Sequence, residues 1–162
     1  MWELIGAIVF GCFIVGAVRI VAFVKIHMLD VQQTFQERFF SCTREIVEWE
    51  DISDKRLVML SVLSSTIRSR KMQMRVFQVL KKTQKEGTPP FSQEATYGDS
   101  LDAERLKVWG QTFGYWMAAV CAQGSVSGIV CLLEFVKTFG SEKITSKTEG
   151  MLLSEELTQP VH

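Results

Sequence analysis

Apolar and polar positions follow three different patterns along this chain. Residues 2–24 are apolar on every side, with Glu3 at the start and Arg19 near the end as the only charges. A run without a polar face predicts a helix surrounded by hydrocarbon rather than one lying on a core. Its twenty-three residues, at about 1.5 Å each, cover roughly 34 Å, against about 30 Å of hydrocarbon in a bilayer.

The second pattern is amphipathic. Met28, Leu29, Val31, Phe35, Phe39, Cys42, Ile46 and Trp49 recur three and four residues apart and trace one helical face. Residues 51–54 interrupt it, with Ser53 or Asp54 suited to cap a second helix. There Leu57, Leu60, Leu63, Ile67, Met74, Phe77 and Leu80 continue the stripe. The expected unit over 27–86 is an antiparallel amphipathic helical hairpin, or two long helices bundling with other copies, because such a stripe is too long to leave exposed. Residues 87–99, with Pro89-Pro90 among Gly, Ser and Thr, read as a linker.

In the third pattern Asp99 or Ser100 caps a helix whose first part is amphipathic through Leu101, Leu106, Val108 and Trp109. Residues 113–133 then carry no charge. Gly110, Gly114, Ala118 and Ala122 lie four apart, and Gly124 and Gly128 form a GxxxG. Small residues at that spacing let helix backbones approach, which in lipid drives association. Trp109, Tyr115 and Trp116 cluster at one end as an interfacial aromatic belt would, and Glu134 and Lys137 mark the other. These features predict one long helix over 100–138 that includes a second transmembrane segment; the alternative is a packed core helix of a soluble domain. Gln123, near the middle of that segment, suits an interhelical hydrogen bond. Residues 139–162 form a polar tail. The fold class expected is therefore an all-α membrane protein: a transmembrane anchor in 1–26, the hairpin, and a second transmembrane helix near the C-terminus.

Charge orients the anchor. No Lys or Arg precedes the apolar run, whereas Arg19 and Lys25 lie at its far end, the polarity of a retained anchor rather than a cleaved signal peptide. Arg19 is six residues from Lys25, so its stem can snorkel the roughly 9 Å to the same interface. Arg19, Lys25, Trp109 and Trp116 are the expected membrane-interface residues. The protein is expected in a cell or organelle inner membrane, with its charged helices on the cytoplasmic or equivalent side.

Charge is also segregated along the middle of the chain. Residues 30–54 carry a balance of −5, and residues 68–86 a balance of +6 through Arg68, Arg70, Lys71, Arg75, Lys81, Lys82 and Lys85. The acidic and basic helices can complement each other, or the basic one can lie on anionic lipid headgroups or a protein partner. Nucleic acid ranks last, since the basic stretch holds one aromatic, Phe77, and that residue belongs to the apolar stripe.

Little in the chain points to catalysis. The four cysteines, Cys12, Cys42, Cys121 and Cys131, have no metal-binding spacing, and the histidines are His27 and the terminal His162. No phosphate loop, dinucleotide fingerprint or nucleophile motif occurs. The expectation is a non-enzyme without cofactor, metal or small-molecule substrate, whose partners are lipids and other transmembrane helices, from its own copies or from other subunits. Three functions fit: a non-catalytic accessory subunit of a membrane assembly packing through small-residue faces, a homo-oligomeric pore- or lesion-forming protein, or a single-pass scaffold recruiting cytoplasmic partners.

Overall fold

Helix α1 (Trp2–Val47) runs unbroken through both the fully apolar and the first amphipathic pattern. Its 46 residues contain no proline, which lets the hydrogen-bond ladder continue for about 69 Å. The structure, a computed structural model, describes residues 2–86, 97, 101–124 and 126–139. Among these residues every regular element is helical. The linker except Tyr97, the C-terminal tail from residue 140, and the proposed caps Asp99 and Ser100 lie outside them.

Two short helices follow α1. Helix α2 (Asp54–Thr66) begins where the sequence suggested, with extended backbone at Ser53. The Ser53 carbonyl accepts from the Arg56 and Leu57 amides, but its hydroxyl makes no capping bond. Helix α3 (Arg70–Glu86) starts after a turn at Ile67–Ser69, where the Ser69 hydroxyl accepts from the Met72 amide. That turn divides the expected second hairpin helix and resets its phase. Met72, Val76, Val79 and Leu80 face the core, while Met74 is exposed and Phe77 half-buried.

Helix α4 (Ala103–Cys121) is the centre of the bundle. Its cap is Asp102, whose Oδ1 accepts from the Arg105 amide at 2.8 Å. From Thr112 to Cys121 every residue is buried except the half-buried Tyr115. Helix α5 (Val126–Phe139) follows after a turn. Trp109, Phe113, Trp116 and Met117 are walled in completely, each worth about 1.5–3 kcal/mol of transfer free energy.

The main partner of α1 is α4, not α2 or α3. The two run antiparallel. Phe35 and Tyr115 stack at 6.3 Å, Arg38 lies over Tyr115 at 5.7 Å, and Arg105 lies over Trp49 at 5.4 Å. Helix α3 packs instead on α4 and α5. The helical hairpin over 27–86 is thus replaced by a bundle in which α4 fills the space the amphipathic faces require.

The single helix expected over 100–138 is also corrected. Gly124 has φ +77°, a left-handed conformation that ends α4 and redirects the chain into α5. Gly124 and Gly128 are therefore not two positions on one helix face. A Cβ at Gly128 would lie 2.8 Å from the Gln123 carbonyl oxygen and 2.8 Å from Met28 Cε. Gly124→Ala should lower stability by about 1–2 kcal/mol, the cost of a left-handed backbone for an L-residue. Gly128→Ala should cost more, since one of its clashes is with backbone. Urea midpoints of the two variants check this order; equal midpoints would contradict it.

Candidate anchor and juxtamembrane face

The first 26 residues of α1 make no core. Its apolar side chains Ile8, Phe10, Phe13, Val15, Val18, Ile20 and Phe23 are exposed, Val24 is half-buried, and the first buried residue among those described is Met28. The most apolar eighteen-residue window has mean hydropathy 2.5 and no buried residue. This is the one helix among the described residues long and apolar enough to cross a membrane. A core helix of a soluble domain would be covered; this one projects from the bundle. Arg19 and Lys25 are exposed on it.

The bundle has a near and a far end relative to this helix. Met28, one turn past Lys25, touches Gly128 at the start of α5. At the same level Gln123 Nε2 donates to the Ile67 carbonyl (2.7 Å), closing the C-terminal end of α2. Gln73 Nε2 donates to the Cys121 and Gln123 carbonyls (2.9 and 2.6 Å), closing the end of α4. These two buried glutamines satisfy helix-end carbonyls that would otherwise lose hydrogen bonds to water. At the far end Gln84 Nε2 donates to Glu134 Oε2 and to the Thr138 hydroxyl, both at 2.9 Å. The Gln84 bond and then Lys137, at 3.1 Å, hold the Glu134 carboxyl below its ordinary range.

This geometry sorts the basic residues. Arg68 borders a depression of about 650 Å³ with Leu29, Gln32, Gln33, Gln36 and Glu37, within a few turns of Lys25. Exposed Arg70 and Lys71 follow at the near end of α3. Arg75 is half-buried, and exposed Lys81, Lys82 and Lys85 lie toward the far end, with Lys81 over the Phe77 ring at 4.7 Å. Beside α3 the outward face of α5 shows Val126, Ile129, Val130, Leu133 and Val136. Between the two helices runs an apolar groove of about 210 Å³ lined by Gln73, Met74, Phe77, Ser127, Val130 and Cys131.

Several expected site residues lie elsewhere. Trp109 and Trp116 are core residues, not interfacial ones: they are 0 % and 1 % exposed, and Trp116 Nε1 donates to the Leu63 carbonyl at 2.9 Å. Gly110, Gly114, Ala118 and Ala122 are buried inside the same chain, on the helix against which α1, α3 and α5 pack. One residue had no signal in the sequence. Arg56 is fully buried, its guanidinium 4.0 Å from the Tyr97 ring centroid and 4.8 Å from that of Trp109. Flat aromatic faces are among the few apolar surfaces that attract a buried cation.

Among the described residues no three His, Cys, Asp or Glu side chains converge on a metal-sized site. No protein-family model, curated protein or solved structure matches the chain.

Proposed function

We propose that this protein is a non-catalytic, single-pass scaffold: a helical bundle tethered by residues 2–26, with its near end against the headgroups and its α3–α5 face turned to a partner. The observation that carries this reading is the contrast along α1. Its first half is apolar and bare, while its second half is sealed onto α4. The small-residue ladder, engaged within the chain, supplies no free face for a second membrane helix. In this reading Lys25, Arg68, Arg70 and Lys71 meet anionic lipid on the cytoplasmic or equivalent side, each contributing about 1 kcal/mol near the surface.

A second reading, a subunit packed against other membrane helices, draws on Gly6, Gly11 and Gly16, where an added Cβ would meet nothing within 4 Å. No observation favours the pore of the two-helix type, for which one candidate span is found among the described residues.

Thiol labelling in sealed membranes separates one span from two. Cys121 and Cys131 are buried in the bundle, so they should resist a water-soluble maleimide in the native protein and react once urea unfolds the bundle. Cys12 should stay protected in both conditions. Protection of Cys121 and Cys131 in urea equal to that of Cys12 would restore the second transmembrane segment and sink the scaffold.

A further inference from the structure

Cys121 ends α4 and Cys131 lies in the second turn of α5. Their sulfurs face each other across the turn that Gly124 makes, in hydrogen-bond contact at 3.0 Å. A disulfide needs about 2.05 Å, so the two sulfurs have only about 1 Å to close. Both thiols are nearly inaccessible from outside, at 0 % and 2 % exposure. Yet Cys131 also forms part of the wall of the apolar groove between α3 and α5. A small neutral oxidant can reach it from that side.

We infer that Cys121 and Cys131 form a redox-active dithiol that closes to an intrachain disulfide when the protein meets hydrogen peroxide. Cys131 attacks first. The Cys121 thiol beside it holds Cys131 below the ordinary thiol range, against burial and the Glu134 charge, which push it up. Cys121, through that same bond and its burial, is held well above it. Thiolate character and a path to solvent select the attacking sulfur. The Cys131 thiolate displaces hydroxide from one peroxide oxygen, and a proton carries that hydroxide off as water, leaving a sulfenic acid. The Cys121 sulfur then attacks the Cys131 sulfur, and its own proton leaves with the departing hydroxide as a second water. Two thiols and one peroxide become one disulfide and two waters. The bond ties the end of α4 to the start of α5, along one wall of the groove.

A compartment that keeps thiols reduced holds the pair open at rest, so the closed form marks an oxidant pulse. Cys42 serves as an internal reference, because burial pushes its thiol up and no other cysteine sulfur is bonded to it among the described residues.

The test uses the full chain in detergent, reduced, freed of reductant and exposed to graded hydrogen peroxide. It is then unfolded, alkylated and digested with trypsin. One tryptic fragment, residues 108–137, contains both cysteines. It should appear unalkylated and lighter by two hydrogens, at a rate at least about tenfold above the loss of the Cys42 thiol. A thiol reductant should restore both alkylation sites. In Cys121→Ser the same treatment should leave a Cys131 sulfenic acid that dimedone traps. The proposal fails if the wild-type fragment remains fully alkylatable at doses that oxidise Cys42. It fails equally if Cys131 passes to sulfinic acid while Cys121 stays free. Neither outcome depends on the variant folding.

Discussion

The double substitution Phe10→Asp and Ile14→Asp should release the protein from membranes while leaving its bundle folded. Both side chains are exposed on α1, at 66 % and 46 %, in the middle of the bare apolar segment. An aspartate near the bilayer centre costs about 2.5–3.5 kcal/mol on insertion scales. Its stem is too short to snorkel, as the arginine at position 19 can. Two such residues cost roughly 6 kcal/mol, or about four powers of ten in partitioning. In water the same charges sit on solvated surface, and the first buried residue of α1, Met28, is fourteen positions away from Ile14. The variant should therefore move from the alkaline-carbonate-resistant pellet to the supernatant, with a urea midpoint for the bundle close to that of the parent. A variant that stays in the pellet would mean that residues 2–26 are not in hydrocarbon. One that leaves the membrane but loses its fold would mean that the anchor supports the bundle, which the burial pattern of α1 denies.

The long apolar helix at the start of the chain was legible from the sequence, because residues 2–24 hold no proline and no polar face to interrupt it. Most of the stripe from Met28 to Trp49 was legible too, since Phe39 and Ile46 sit at helical spacing and are fully buried; Leu29, expected on the same face, is exposed. What it packs on was not. Residues 113–133 have the composition of a membrane helix because the core helix α4 needs the same apolar surface as a helix immersed in lipid, and α5 adds an apolar face of its own. Two clues bear on the choice. The amphipathic faces of residues 28–80 need an apolar partner, and α4 can supply it within the chain. Gln123 beside Gly124 also suits a helix end, where an amide side chain closes free carbonyls, better than the middle of a span. The split of the expected second hairpin helix at Ile67–Ser69 was hidden, because Ser and Arg there are tolerated in either a helix or a turn. Arg56 was hidden for a different reason. A buried cation and a solvated one look alike in a charged stretch until the rings of Tyr97 and Trp109 come together from distant parts of the chain.

The small-residue ladder offers the sharpest separation between a folded bundle and a lipid-embedded assembly. Gly114→Leu combined with Ala118→Leu adds branched side chains at two buried positions of α4. Overpacking costs about 1–3 kcal/mol per site. The positions are one turn apart, so their effects couple rather than add. Even one site's loss of about 1–3 kcal/mol is a sizeable part of the roughly 5–15 kcal/mol that holds a domain together. Alkylation of Cys121 should follow, because its protection comes from that packing: the double variant should label in native membranes, or at much lower urea than the parent. The anchor does not depend on α4, so carbonate-resistant membrane association should persist. If the ladder instead joined spans of different subunits, the leucines would break the oligomer and leave Cys121 shielded by lipid at every urea concentration. A smaller particle by gel filtration in gentle detergent, with the urea midpoint for Cys121 labelling unchanged, would overturn the intrachain role of Gly114 and Ala118.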